Sequence, residues 1–218
     1  MKILLIEILT MVFLTAASGW AQAPDGRWDG TITYGRLKVP FTIHFERNGK
    51  ALTGSFVNGD TRVASTEGTF EAGLVRLTFG ASGTRLEATV ANEDLEGTYK
   101  DGGQDMHRVT ASKFCACGSE GEAGPDISGT WEVPDAGWRL TIRRKGDDTL
   151  ATVARSSGDL GPIAGRFDGF TFLLHYFDGV RAALLEIEQR KDGGLDLRLT
   201  EPGTEAKKYR AVQATTRQ

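Results

Sequence analysis

Apolar and polar residues alternate with a period of two through most of the chain. The clearest case is 36–46, where five apolar side chains fall on one face and polar or charged side chains fall on the other. Alternation of this length predicts an antiparallel strand with one face buried and one face in solvent. Asn48-Gly49 follows, and both residue types tolerate the positive φ angles of a tight hairpin turn. This stretch therefore predicts a strand that ends in a hairpin.

Seven further segments complete a first set of eight predicted strands. One of them contains Trp28, one runs through 62–70, and the last covers Met106 to Phe114. Short Gly-, Asn- and Asp-containing turns separate the segments, which indicates an up-and-down meander of neighbouring strands.

The second half of the chain repeats the first. A Trp stands two residues after a Gly in both Gly26-Arg27-Trp28 and Gly129-Thr130-Trp131, and equivalent positions stay about 100 residues apart from one end to the other. The sequence thus predicts an all-β fold of two similar eight-stranded antiparallel meander or barrel modules in tandem. Residues 182–189 are rich in helix formers, but their counterpart at 86–90 alternates, so we predict a strand there as well.

The modules are predicted to cover 24–114 and 127–218. Residues 115–126 are small, polar and Gly-rich, and they are interpreted as a linker. Residues 1–23 have the pattern of a signal peptide, with Lys2, a short apolar run and Ala21-Gln22-Ala23 as a cleavage pattern; an uncleaved N-terminal anchor is the alternative. We therefore expect a periplasmic or secreted protein.

Charge indicates no nucleic-acid partner and no membrane partner after signal cleavage. The 26 basic and 29 acidic residues give a net charge of −3, which is too small for a strong directing field.

The sequence offers few groups that could carry chemistry. Cys115 and Cys117 are the only cysteines. In an oxidising compartment they could form a disulfide; an incidental linker pair, a redox pair and part of a metal site are the three interpretations. His44, His107 and His175 stand on separate predicted strands, without the spacing of metal ligands. We predict no catalytic residue, no metal site and no cofactor.

The Gly-x-Trp motif on the first strand of each meander resembles the lipocalin and calycin barrels. In those proteins the Trp closes one end of the barrel, and an Arg of the last strand often lies against it. The resemblance implies cation–π contacts between Trp28 and Arg108 and between Trp131 and Arg210. The alternative is that each Trp only seals a core.

A second resemblance extends over both modules. It rests on short motifs: Gly26-Arg27-Trp28-Asp29-Gly30, Val39-Pro40-Phe41, Gly54-Ser55-Phe56, Leu86-Glu87-Ala88-Thr89, Leu95-Glu96-Gly97-Thr98-Tyr99, Asp126-Ile127-Ser128-Gly129-Thr130-Trp131, Gly165-Arg166-Phe167-Asp168-Gly169 and Ala182-Ala183-Leu184-Leu185-Glu186. Together they are similar to the N-terminal β region of exported TlpA-like redoxins, which join such a region to a thioredoxin-fold domain with a Cys-x-x-Cys active site. That motif is absent from this sequence, so the resemblance carries over no catalytic residue.

The resemblance implies a binding or scaffolding role in a periplasmic thiol-disulfide system, with a thioredoxin-fold domain or another periplasmic protein as partner. The alternative is a calycin-like carrier of a small apolar ligand. The inward positions argue for filled cores, with any binding on the outer faces or in the cleft between the modules, because most of them carry large side chains. These positions are Phe41, Ile43, Phe45, Phe56, Phe70, Leu77 and Phe79, then Trp138, Leu140, Ile142, Phe167, Phe172, Leu197 and Leu199.

Overall fold

Two closed antiparallel β-barrels stand in tandem in the computed structural model, which describes residues 23–49, 51–80, 83–103, 105–115 and 124–214. This confirms the predicted all-β fold with two similar eight-stranded modules. The expected signal peptide falls almost wholly on residues 1–22, which lie outside the described residues, and so does most of the expected linker.

The first barrel is built from β1 to β9. Their bounds are β1 Gly26–Tyr34, β2 Leu37–Asn48, β3 Ala51–Asn58, β4 Thr61–Ala64, β5 Glu67–Glu71, β6 Leu74–Phe79, β7 Thr84–Ala91, β8 Asp94–Lys100 and β9 Met106–Lys113. Eight of these strands form the ring in the order β2-β1-β9-β8-β7-β6-β5-β3, and the pairing of β2 with β3 closes it.

The single strand predicted over 62–70 is wrong, because the chain forms β4 and β5 there. Among the described residues, β4 pairs with β3 alone, whereas β5 pairs with β6 and touches β3 only at Ala51↔Thr69. Between them the Ser65 amide donates to the Gly54 carbonyl at 2.8 Å and the Thr66 amide to the Thr78 carbonyl at 2.8 Å. These two bonds fix the bend at which the chain leaves β3 and turns to β6.

The second barrel is an uninterrupted meander from β10 to β17. Its strands are β10 Gly129–Val133, β11 Trp138–Lys145, β12 Asp148–Ala154, β13 Leu160–Phe167, β14 Phe172–Phe177, β15 Ala182–Gln189, β16 Leu195–Thr200 and β17 Lys207–Gln213. Each pairs with the next, and Trp131↔Gln213 and Glu132↔Val212 close the ring. The strand predicted over 182–189 is confirmed: pairing with β14 and β16 outweighs the helical propensity of this segment.

Burial follows the alternation of the sequence. Along β7, buried and exposed side chains alternate at every position from Thr84 to Ala91. Most of the predicted inward residues are buried; Phe70, Trp138 and Phe167 are partly buried and pack against the same cores. Burying a side chain the size of Phe or Leu contributes about 1.5–3 kcal/mol, so these two clusters supply most of the driving force for folding.

The alternation breaks where the β14–β15 hairpin reaches the first barrel. Tyr176 and Phe177 are consecutive, yet both are buried, as are Ala182 and Ala183 opposite them. Tyr176 and Ala183 belong to the core of the second barrel, whereas Phe177 and Ala182 belong to the core of the first. The hairpin therefore contributes side chains to both cores, and this shared packing joins the barrels.

Polar contacts accompany this junction. Asn58, at the end of β3, exchanges two hydrogen bonds with the backbone of Phe177, at 2.8 and 3.0 Å. The Tyr99 hydroxyl donates to the Gly179 carbonyl. Farther out, Arg143 and Lys145 both pair with Asp60, where all three side chains are half exposed. Exposed ion pairs of this kind add little stability, so the buried contacts dominate the junction.

Candidate binding cleft between the barrels

A cleft of about 570 Å³ lies between the two barrels. One wall is the outer face of β1 and β2, and the facing wall is the outer face of β13 and β14 with the start of β12. The side chains that carry charge or an imidazole in it are Arg27, Asp29, His44, Arg62, Asp148, Arg166 and His175. We call this feature the inter-barrel cleft.

Alternation explains why polar groups line this cleft. Trp28 and Ile43 point into the first core, so their neighbours on β1 and β2 point outward. Leu174 points into the second core, so Leu173 and His175 point toward the cleft. The outer faces of β1 and β2 and of β13 and β14, which would otherwise contact solvent, therefore face each other.

A network of side chains orders the first wall. The Arg27 Nε and Nη2 groups donate to the two carboxylate oxygens of Asp29, each at 3.0 Å. The Thr42 hydroxyl donates to Asp29 Oδ1 at 2.7 Å. The Arg27 guanidinium also stacks on the Phe114 ring, 4.2 Å from its centroid. A bidentate pair with stacking holds Arg27 in one orientation.

Arg166 and Asp148 form the matching pair on the second wall. The Arg166 Nε group donates to Asp148 Oδ1 at 2.8 Å, and this bond raises the pKa of Arg166 further above its already high value. Asp29, across the cleft, acts in the same direction on the pKa of Arg166, as the smallest of the contributions.

Two histidines face the cleft in different environments. Burial lowers the pKa of His175 to about 4, although Asp29 and Asp148 act in the opposite direction. His175 is therefore neutral at pH 7. His44 Nδ1 is enclosed and makes no hydrogen bond to the described residues. Its nearest acidic oxygen is Glu46 Oε1 at 3.4 Å, where the geometry does not meet that of a hydrogen bond.

The arrangement suits reversible binding of polar groups. Each guanidinium carries five N–H donors, and the ion pairs of Arg27 and Arg166 engage one or two of them. The neutral imidazole of His175 offers both a donor and an acceptor. Within the described residues, no group of three potential ligands is placed to hold a metal ion.

A larger depression of about 890 Å³ lies on the outer face of β15, β16 and β17. There, Arg198 pairs with Glu186 at 3.1 Å and Arg210 approaches Asp196 to 3.8 Å. Charges that pair along one barrel are typical of a solvated face. The inter-barrel cleft is the stronger candidate because both barrels build it.

The structure does not bring Trp28 and Arg108 together. Trp28 pairs across the ladder with Lys113, and Arg108 pairs with Thr33, five positions farther along, which is roughly 17 Å of strand. Arg108 adjoins the inward Val109, so its own side chain points outward, where it binds Glu96 at 2.7 Å.

The second expected contact fails for the same reason. Arg210 adjoins the inward Ala211 and lies with 72 % of its side chain exposed, whereas Trp131 is buried. In the second barrel it is Arg155 that lies over a Trp ring, 5.7 Å from the centroid of Trp138. Both Gly-x-Trp tryptophans are buried in the cores of their barrels. The Trp28 indole donates to the Asp25 carbonyl at 3.3 Å. The Trp131 indole donates likewise to the Ile127 carbonyl at 3.0 Å.

Cys115 follows β9 at the end of the first barrel and is disulfide-bonded. Cys117 lies outside the described residues. His107 belongs to a separate cluster, where its Nε2 lies 3.1 Å from Asp101 Oδ2 and its ring lies 4.1 Å from that of Tyr34.

The residues that join the barrels were missed by the sequence analysis. The adjacent aromatic residues Tyr176 and Phe177, opposite the adjacent Ala182 and Ala183, were the available signal, because two neighbouring apolar residues on a strand require burial of both its faces. Asn58 gave no signal, since an Asn before Gly is also what a hairpin turn requires.

No protein-family model matches this chain, and the search of curated proteins found no match either. Among the described residues, no helix has the length and apolarity needed to cross a membrane.

Proposed function

We propose that this protein is an exported binding or scaffolding protein without catalysis of its own, and that the inter-barrel cleft holds its ligand or partner. The observation that carries the proposal is the cleft itself, in which fixed Arg–Asp pairs of two barrels face each other across a space of about 570 Å³. A cleft between modules with a few oriented polar groups is the usual form of a binding site.

The chemistry of the cleft favours a partner that carries carboxylates. Arg27, Arg62 and Arg166 outnumber the two carboxylates in the lining, Asp29 and Asp148, and the neutral His175 does not change this balance. Guanidinium groups bind carboxylates in a two-pronged geometry. An acidic segment of a second exported protein fits this lining better than an apolar molecule does.

The partner class follows from the resemblance to the TlpA-like redoxins. We propose a thioredoxin-fold domain or another periplasmic component of a thiol-disulfide system, with this chain as its binding region. The alternative of an apolar carrier has less support, because side chains occupy the interiors of both barrels.

The test is a binding measurement with the full chain. Exported thioredoxin-fold proteins of the same source are titrated against the wild type, against Arg166→Gln and against Arg76→Gln. Arg76 is a matched control, since it also forms a cross-strand ion pair, with Glu87 at 3.0 Å, but lies outside the cleft.

We expect Arg166→Gln to weaken binding at least tenfold and Arg76→Gln to leave it unchanged. Equal affinities for all three chains would remove the cleft from the proposal. Disulfide reduction catalysed by this chain alone would contradict the non-catalytic role.

A further inference from the structure

The mouth of the first barrel holds a side chain that belongs to the second barrel. Phe177 is 1 % exposed, and its ring lies 4.6 Å from that of Phe56, 5.2 Å from that of Tyr99 and 5.9 Å from that of Phe41. The first two contacts are edge-to-face, the geometry that aromatic quadrupoles favour. Phe79 stacks behind Phe56 at 4.6 Å and completes a box of rings.

The mouth also recognises the backbone that carries this ring. Asn58 Nδ2 donates to the Phe177 carbonyl at 2.8 Å, and Asn58 Oδ1 accepts the Phe177 amide at 3.0 Å. The Tyr99 hydroxyl donates to the Gly179 carbonyl two residues on. A β-carbon on Gly179 would come within 3.2 Å of that hydroxyl oxygen, so the fit of the turn is close. Together, these contacts recognise an aromatic side chain and the backbone amide and carbonyl groups beside it.

The inserted turn is held in shape by its own aspartate. Asp178 Oδ1 accepts the amides of Val180 and Arg181, at 2.9 and 2.6 Å. Asp178 Oδ2 accepts the Tyr176 hydroxyl at 2.6 Å. These bonds lie within the hairpin and do not involve the first barrel, so they favour the same turn before docking and lower the entropy lost on docking.

We infer that the mouth of the first barrel is a binding site for an aromatic residue presented on an Asx turn, with Phe177-Asp178-Gly179 as its tethered occupant. The ligand class is a peptide containing Phe-Asp-Gly. Because the occupant belongs to the same chain, its docking is intramolecular, so a free peptide gains access only when the hairpin is withdrawn or removed. This inference does not depend on the function proposed for the cleft.

The first test removes the occupant from the full chain. Replacing residues 177–182 with Asn-Gly keeps the Tyr176↔Ala183 pair and closes it with a two-residue turn. The probe is N-acetyl-Phe-Asp-Gly-Val-amide, followed by calorimetry and by NMR shifts of Asn58 and Tyr99. We expect saturable binding to the shortened chain and binding at least tenfold weaker to the wild type.

Two controls define the recognition. The peptide with Ala in place of Phe tests the contacts with the surrounding aromatic rings. Asn58→Ala in the shortened chain tests the contacts with the peptide backbone. Each change should weaken binding at least tenfold. Equal binding of the Phe and Ala peptides would overturn the inference, as would no binding to a shortened chain that NMR shows to be folded.

A milder variant tests the recognition of the ring by itself if the shortened chain does not fold. Phe177→Ala keeps the turn and vacates only the space of the ring. Toluene should then bind this variant and not the wild type, with NMR shifts concentrated at Phe41, Phe56 and Tyr99, since an apolar cavity admits apolar guests. Failure of toluene to bind the folded variant would overturn the inference.

Discussion

Asn58 of the first barrel holds both backbone groups of Phe177 in the second, donating to its carbonyl at 2.8 Å and accepting its amide at 3.0 Å. Both partners are buried. Asn58→Ala would remove the two bonds and leave a buried amide and carbonyl without these partners, which costs about 1–3 kcal/mol for each unsatisfied group. We expect the free energy of unfolding to fall by about 2–6 kcal/mol in chemical denaturation.

Two controls separate this effect from a general loss of asparagine or of barrel contacts. Asn48→Ala changes an exposed residue of the same type at the end of β2. Asp60→Ala removes the contacts to Arg143 and Lys145, which also cross between barrels but lie in solvent. Both substitutions should leave the free energy of unfolding nearly unchanged, because water already satisfies the hydrogen bonds of such exposed groups. A loss for Asn58→Ala no larger than for these controls would show that the junction does not depend on buried backbone pairing.

Two phenylalanines beside neighbouring turns of the second barrel form a matched pair with which the packing of the junction can be tested. Phe177 is 1 % exposed in the core of the first barrel, whereas Phe170, in the neighbouring β13–β14 turn, is 89 % exposed. We expect Phe177→Ala to cost about 3–5 kcal/mol, as a buried Phe truncation does. Phe170→Ala should change stability by less than about 0.5 kcal/mol.

The measurement is thermal and chemical unfolding of both variants beside the wild type. Phe177→Ala should also separate the transition of the first barrel from that of the second, because the shared side chain is lost. Comparable stabilities of the two variants would mean that the barrels do not depend on the insertion of Phe177.

Most of the fold could be predicted because each strand carries its own evidence. The alternation along β2 or β7 predicts both the strand and the face of it that is buried. The repeated Gly-x-Trp motif predicts that the two modules have similar folds. The prediction failed at 62–70, where apolar content alone could not reveal that Ser65 and Thr66 bond to different strands.

The relation between the barrels could be predicted only in outline. Binding was expected on the outer faces or in the cleft between the modules, but the lining of the cleft depends on which outer faces meet, and no local pattern encodes that. The predicted contacts between Trp28 and Arg108 and between Trp131 and Arg210 are wrong. The resemblance named the residue types that would meet, but it did not give the register of the strands that carry them. The neighbours Val109 and Ala211, which point inward, already required Arg108 and Arg210 to point outward.

The disulfide at Cys115 gives a prediction about stability. Cys115 and Cys117 are two positions apart, and a bond between them would close too short a loop to restrict the unfolded chain greatly. Cys115→Ser combined with Cys117→Ser should therefore change the free energy of unfolding by less than about 1 kcal/mol.

Equilibrium denaturation of the double variant under oxidising conditions checks this expectation, with the wild type in reductant as the control. The two samples should agree. A loss of several kcal/mol, or the loss of a redox activity, would show that the pair is more than an incidental feature of the segment between the barrels.

His175 should make the stability of the protein depend on pH. Burial lowers its pKa to about 4 in the folded state, from an ordinary value of 6.5, while Asp29 and Asp148 offset part of the effect and Arg27 adds to it. Because the unfolded chain takes up the proton first, the contribution of the neutral imidazole is complete above about pH 6.5 and is lost as the pH falls toward 4. The shift corresponds to a loss of at most about 3 kcal/mol.

The comparison that isolates this effect is the stability of the wild type against His175→Gln, measured from pH 8 to pH 4. Other titrating groups contribute equally to both chains and cancel, so the wild type should lose more stability than the variant below pH 6.5, and the two profiles should run parallel above it. NMR titration of the imidazole gives the pKa directly. A midpoint near 6.5, or parallel profiles throughout, would mean that His175 meets solvent in the cleft and that the cleft is open enough for its lining to stay fully hydrated.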